Sequence, residues 1–222
     1  MKKQNSYSGS LNPEFLVRAY KSGIFPMAEA RDDPHIHWID PEMRGIIPLD
    51  AFHVSKSLKK TLRRGIFEVR ADTAFEPVIR ACAAAGRGRR ETWINDVIID
   101  AFIGLHELGL AHSIESWRDE KLQGGLYGLA LGGAFCGESM FSKARDASKV
   151  ALVHLVARLR FGGFTLLDTQ FVTEHLKRFG AVEIRARDYL DRLDAAIALQ
   201  AGFYSSPGTP PGLAAELEKL WS

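Results

Sequence analysis

At 222 residues, with 46% apolar and 25% charged side chains, the chain suits one well-buried domain, or one domain with a small appendage, and neither disorder nor a fibrous class is indicated. A formal net charge of +2 is too small to mark a nucleic-acid binder by itself, so any such role must come from local clusters. Two distant cysteines, Cys82 and Cys136, outside any CxxC pair, exclude a disulfide framework or zinc ribbon and suit a reducing compartment.

The opening "MKKQNSYSGSLNPEF" has lysines but no apolar h-region, and no run approaches the roughly 18 apolar residues of a membrane span. We therefore expect a soluble, cytoplasmic protein with no membrane partner. "NPEFLVRAYKSGIFPM" predicts a helix capped by Asn12, begun by Pro13 and stopped at Gly23. The proline-rich stretch through "DDPHIHWIDPEMRGIIP" reads as irregular, with a boundary near residue 45. In "HVSKSLKKTLRRG", Ser55 as N-cap and Gly65 as stop predict a helix over 56–64. Lys56, Lys59, Lys60, Arg63 and Arg64 share one face of it, while Leu58 and Leu62 face the core.

"IFEVRA" then reads as a strand, "FEPVIRACAAA" as a helix, "GRGRRET" as a basic loop and "INDVIIDAFIGLHELGL" as an amphipathic helix. "AHSIESWRD" alternates like a strand. "LQGGLYGLALGGAFCGESMF" forms two apolar strands around the hairpin signal Gly132-Gly133. "DASKVALVHLVARLRFGG" is a largely buried helix, followed by the strand "FTLLDTQ", the helix "VTEHLKRFG", the strand "VEIRA" and the helix "DYLDRLDAAIAL". The order implies an α+β chain with a mixed sheet flanked by helices. "SSPGTPPG" at 205–212 reads as a linker, and "LAAELEKLWS" as a short helix with Leu213, Leu217 and Leu220 on one side.

A lone acid, Glu138, interrupts the apolar or neutral stretch from Leu126 to Phe141, and an unpaired carboxylate there costs several kcal/mol or more. Alternation puts Glu138 on one strand face with Met140, and Asp168 on one face with Gln170. The two acids end adjacent apolar strands, where sites form. Each acid could equally cap the helix that begins just after it, and both readings stand at this level.

His35 and His37 form an HxH pair and His106 and His112 flank one helix end, but no HExxH or clustered acid/His set accompanies them, so no metal site is expected. GxSxG, GxxxxGK[ST] and a strand-to-helix GxGxxG are absent, which weighs against the common hydrolase, nucleotide kinase and dinucleotide readings. The basic face of residues 56–64, with Arg87, Arg89 and Arg90 just before Trp93, suits a phosphate-tracking surface with a base-stacking indole. A solvated helix face is the plainer alternative.

The blocks "AYKSGIFPM", "WIDPEMRGIIP", "FHVSKSLKK", "ETWI", "LHELGLAHSIESWRDEKLQGGLYGLALGGAFCGESMFSKARDASKVAL" and "LLDTQFVTEHLKRFGA" run in order over residues 19 to about 193. Together they resemble the leucyl/phenylalanyl-tRNA–protein transferases. The resemblance implies a shortened N-terminal domain over 1–45, an acetyltransferase (GNAT)-like aminoacyltransferase domain over 46–204, and a linker and tail over 205–222. The implied reaction moves leucine, phenylalanine and less readily methionine from charged tRNA to an N-terminal arginine or lysine, marking that protein for degradation. The partners are thus Leu-tRNA or Phe-tRNA and proteins with N-terminal Arg or Lys, and a monomer suffices. The aminoacyl ester is already activated and an α-amine of pKa about 7.7–8.0 is partly neutral at cellular pH, so no cofactor is implied.

By the same resemblance Glu138 would hold the α-ammonium of the aminoacyl group, and Asp168 and Gln170 would sit at the ester, orienting the attacking amine or relaying its proton. Leu126, Met140, Leu155, Leu159 and Leu167 would line the side-chain pocket. Trp93 would pack near the terminal adenosine, and Lys56, Lys59, Lys60, Arg63 and Arg64 would follow the acceptor stem. The chain lacks the GLLAxGGDLS-like block of many members, and Met27 and His37 stand where members often carry tryptophan. Two rival readings are an acyl-CoA-dependent N-acetyltransferase, whose [RQ]xxGx[GA] signature is absent, and a non-catalytic tRNA-binding module, which gives Glu138 and Asp168 no task.

Overall fold

The computed structural model of the chain describes residues 2–7, 11–84, 92–205 and 210–222. The predicted basic loop with Arg87, Arg89 and Arg90, and the middle of the 205–212 linker, lie outside them.

Two sheets organise the chain. The first is small and antiparallel, in the order β1 (Lys2–Tyr7), β3 (Ile36–Asp40), β2 (Phe25–Met27). The helix α1 (Pro13–Lys21) precedes β2, with Asn12 accepting from the Glu14 amide as its N-cap. The stretch after Met27, read above as irregular, thus contains two short strands, β3 and a further one over Met43–Ile46, and a third, β2, just precedes it; prolines keep each to a few residues without preventing pairing. The chain changes sheet between Asp40 and Met43.

The second sheet has seven strands in the order β10 (Val182–Arg185), β4 (Met43–Ile46), β9 (Leu166–Gln170), β8 (Ala134–Ser142), β7 (Lys121–Leu131), β6 (Ala111–Arg118) and β5 (Glu68–Ala71). Every neighbouring pair is antiparallel except β8 with β9, so the sheet is mixed, as expected. The apolar run of β7 and β8 is explained by burial on both faces. Tyr127, Leu129, Leu131 and Cys136 pack with α1, α3 (Phe75–Ala83) and α4 (Asp96–Glu107). Leu126 and Phe135 pack on the other face with α5 (Ala147–Phe161).

The remaining helices are α2 (Lys56–Arg63), α6 (Glu174–Lys177), α7 (Ala186–Ile197) and α8 (Pro211–Trp221). Ser55 caps α2, and Gly65 ends it in the left-handed region at φ +57°. The C-terminal helix is docked, with Leu213, Leu217 and Leu220 buried in the core that α5 shares. Glu115, fully buried on β6, takes the place of an N-cap for α3, accepting from the Thr73 and Ala74 amides.

Candidate active site

Pairing joins Ala134 to Leu166, Phe135 to Leu167 and Cys136 to Asp168, and no β8–β9 pair follows. β9 there turns to β4, where Gly45 pairs with Gln170. The two parallel strands part, and a cavity of about 290 Å³ opens beside them. Glu138 and Met140 of β8, Leu126 of β7, Leu152 and Leu155 of α5, and Leu167 and Gln170 of β9 line it, with Phe25, Met27 and Trp93 from the first sheet and its neighbouring segment. The cavity is mostly apolar with a few polar groups, the usual composition of a small-molecule site.

Neither acid caps a helix. Thr173 caps α6, and Asp146 occupies the N-cap position of α5. Glu138 is half-buried, and its Oε1 accepts from the Tyr20 hydroxyl at 2.8 Å and from Gln170 Nε2 at 3.3 Å. Among the described residues nothing donates to its Oε2. Burial pushes the Glu138 carboxyl up to about 8, against the lowering effect of the Tyr20 hydrogen bond. The carboxyl can therefore change charge near neutral pH, and an incoming cation would favour its ionised form.

Asp168 has the opposite setting. It is fully buried and does not line the cavity. Its Oδ1 accepts from Arg44 Nε at 2.8 Å and from the Gln170 amide at 2.9 Å, and its Oδ2 from Arg44 Nη2 at 2.7 Å and the Tyr189 hydroxyl at 3.2 Å. Arg44 also donates to the Gly23 carbonyl and lies 4.5 Å from the ring centroids of both Phe25 and Tyr189. Gln170, at φ +55°, holds a backbone conformation uncommon for a side-chain-bearing residue, stabilised by its own amide bonding Asp168.

The family profile described as leucyl/phenylalanyl-tRNA protein transferase matches residues 46–194, and that of the family's N-terminal domain matches residues 9–42. The chain belongs to the leucyl/phenylalanyl-tRNA protein transferase family. A transferase of that name from Paramagnetospirillum magneticum is 64% identical over 87% of this chain and 92% of the relative. Another, from Nitrobacter winogradskyi, is 56% identical over 96% of this chain and 94% of the relative. Among solved structures, the C-terminal domain of an Agrobacterium fabrum protein is matched at TM-score 0.38 and 13% identity, over 85% of this chain and 64% of that one, too loosely to bear on fold or function.

The protein is thus an aminoacyltransferase of the charged-tRNA-using type. Of the residues singled out in its sequence, Glu138, Gln170, Leu126, Met140, Leu155, Leu167 and Trp93 meet at the cavity of this transferase. Leu159 lies one turn beyond Leu155 on α5, buried in the core and away from the cavity lining. The basic face is present on α2, but Lys59 and Arg63 donate to the carbonyls of Ser222 and Trp221 at the end of α8, each at 2.6 Å. Tyr20, Arg44 and Tyr189 were not singled out, although each bonds one of the two acids.

The histidines are dispersed among other tasks. His106 stacks on Phe75 at 4.3 Å and bonds the Ala111 carbonyl, and His112 pairs with Asp72 at 2.7 Å. Glu29, Asp33 and His37 bring potential ligand atoms within 4.8 Å of one another, but Asp33 is already held by His35. Among the described residues no helix is long and apolar enough to cross a membrane.

Proposed function

We propose that this transferase moves leucine, phenylalanine and less readily methionine from charged tRNA onto the N-terminal arginine or lysine of cytoplasmic proteins, by ester aminolysis. We read the domain over 46–204 as GNAT-like, its strand and helix order being compatible with that fold, with 1–45 as a shortened N-terminal domain. A monomer is sufficient. The observation that carries the reading is the setting of Glu138: Oε1 is anchored by Tyr20 and Gln170, and Oε2 accepts from none of the described residues beside a cavity walled by leucines. An α-ammonium bonded there directs its own side chain at Leu126, Met140, Leu155 and Leu167.

Gln170 Nε2 donates to Glu138 and, at 3.4 Å, to Asp168, which leaves its Oε1 as the acceptor that orients the attacking amine. Asp168 is a positioning residue in this reading. Its lone pairs are engaged by Arg44, Tyr189 and the Gln170 amide, and an amine of pKa about 7.7–8.0 needs little help to lose a proton. Trp93, half-buried at the cavity edge, offers a face to the terminal adenosine, and the cations of α2 a path for the acceptor stem. An unbranched-Cβ side chain fits the pocket better than valine or isoleucine, with about 1–3 kcal/mol at stake per methylene.

The test is transfer of labelled phenylalanine from Phe-tRNA to a protein beginning with arginine, in EDTA and without ATP, by wild type, Glu138→Gln and Asp168→Ala. Label on the arginine with wild type, and loss with folded Glu138→Gln, is the expected result. No transfer by folded wild-type protein to arginine or lysine would sink the reading and favour a tRNA-binding role.

A further inference from the structure

An N-terminal arginine or lysine carries, besides its amine, a second positive group at the end of a long apolar stem. Glu138 is assigned to the aminoacyl ammonium and Asp168 is fully buried against Arg44, so neither acid of the site is left for that group. Strand register supplies another. Gln170 of β9 pairs with Gly45 of β4, and Gly45 with Glu183 of β10, so the three stand in one row across three strands. At about 4.8 Å per strand, the Glu183 backbone lies roughly 10 Å from that of Gln170. Glu183 is exposed, and among the described residues none donates to its carboxylate. Lys177, which feels that charge, is itself bonded to Glu174 at 2.6 Å.

Phe171 stands between the two ends of this row. Its amide donates to the Thr169 carbonyl at 2.6 Å, closing a three-residue turn that holds it beside Gln170. The turn carries the chain over Gly45, where a Cβ would meet the Phe171 carbonyl carbon at 2.7 Å. Directly opposed residues of an antiparallel pair share a face, with Cβ positions about 4.5–5.5 Å apart, so Glu183 projects on the side that Phe171 covers. The Phe171 side chain lines the cavity, stands edge-on to Phe25 with centroids 5.7 Å apart, and is 40% exposed. A large ring left open at the mouth of a site offers its face to an alkyl stem or a cation.

We propose that Phe171 and Glu183 form the subsite for the side chain of the acceptor protein's N-terminal residue. Gln170 Oε1 takes the amine, the Phe171 ring takes the stem, and the Glu183 carboxylate takes the guanidinium or ammonium. The proposal rests on the aminoacyl-transfer reading above. The lengths match: with bonds of about 1.5 Å, an extended lysine or arginine sets its amine and its cation about 7 Å apart, and the Gln170 and Glu183 side chains span the remainder. An exposed ion pair and an exposed cation on a ring are each worth at most about fivefold in binding, so together they set a preference of about tenfold, not an absolute requirement.

The experiment measures kcat/KM for two acceptor peptides, one beginning with arginine and one with citrulline, its uncharged isostere, with Phe-tRNA as donor. Wild type, Glu183→Gln, Glu183→Lys and Phe171→Leu are compared, with thermal denaturation of each. The arginine-to-citrulline ratio falls about fivefold in Glu183→Gln, further in Glu183→Lys and about threefold in Phe171→Leu, while KM for Phe-tRNA stays within about threefold in the Glu183 variants. Should Glu183→Gln not fold, Glu183→Ser replaces it. An unchanged ratio in the folded Glu183 variants, or an effect confined to KM for Phe-tRNA, overturns the subsite while wild-type transfer to the arginine peptide upholds the reaction. A ratio that responds to Glu183 but not to Phe171→Leu removes the ring from the subsite. Absence of transfer by wild type overturns both readings.

Discussion

Arg44 and Asp168 form a bidentate ion pair with side chains 1% and 0% exposed, at 2.8 and 2.7 Å. Strand β4 brings the arginine and β9 the acid, and the cation is sandwiched between Phe25 and Tyr189. Removing one partner leaves the other charge buried and alone, at about 3–5 kcal/mol. We expect Arg44→Met to lower unfolding free energy by that amount in urea titrations. Arg44→Lys restores the charge but not the fork, and should remain both less stable and less active than wild type. Full activity in folded Arg44→Met would show that Gln170 does not depend on the acid beneath it.

Glu138 gives a pH dependence whose sign follows from its folded pKa of about 8, above the ordinary 4.5. The folded protein favours the protonated carboxyl, so that contribution to stability is fully present below pH 4.5 and is lost as pH rises through 8. Glu138→Gln has no such loss. Its stability should gain on that of wild type between pH 5 and 9, as read by thermal denaturation at each pH, while its transfer activity falls.

The same carboxyl shapes substrate binding. The proposed complex holds one proton shared as carboxylate and ammonium, whereas the free partners hold two at low pH and none at high pH. Affinity for a phenylalanyl-adenosine amide, which cannot be turned over, should therefore peak near the mean of the two pKa values, about pH 8, and fall by up to about tenfold per pH unit on either side. Calorimetric titration across pH 6–10 measures this. A flat profile, or one that survives Glu138→Gln, would break the pairing.

Helix α1, capped by Asn12, and the elements beyond residue 50 were legible because they carry their own punctuation: Ser55 and Gly65 around α2, Gly132-Gly133 between β7 and β8, Gly162-Gly163 after α5. The neighbourhood of Glu138 and Gln170 was legible too, since both end apolar strands on either side of one helix. Arg44 was not. It sits in the four-residue β4, inside a proline-rich stretch whose pairing depends on β9 and β10, more than 120 residues away. Tyr20 looked like any buried face of an amphipathic helix, and nothing local says that its hydroxyl meets Glu138.

Leu155, 1% exposed, belongs to the core and to the cavity wall at once. Leu155→Ala should cost about 2–5 kcal/mol of stability and enlarge the space for the substrate side chain. The expected result is a loss of discrimination: kcat/KM for Leu-tRNA falls relative to Phe-tRNA by about tenfold, and bulkier aminoacyl groups gain. Competition between the two charged tRNAs in one reaction reads the ratio. If the ratio stays at its wild-type value in folded Leu155→Ala, the leucines serve packing alone.

The cations of α2 divide into two sets, and the division makes a salt-dependence prediction. Lys56, Lys60 and Arg64, the C-cap of α2, are exposed; Lys59, half-buried, and Arg63, also exposed, bond the backbone oxygens of Ser222 and Trp221 at the C-terminal end of α8, where the partial negative charge of a helix C-terminus favours cations. Neutralising an exposed member that touches phosphate should raise KM for Phe-tRNA and reduce the dependence of log KM on log salt by about one contact's worth, leaving transfer from phenylalanyl-adenosine unchanged. Lys59→Ala and Arg63→Ala should also loosen α8, lowering the thermal midpoint while changing the salt slope less. Kinetics from 50 to 300 mM KCl with both donors separate the sets. If Lys56→Ala and Lys60→Ala leave the slope for Phe-tRNA unaltered, this face of α2 is a solvated surface and the acceptor stem runs elsewhere.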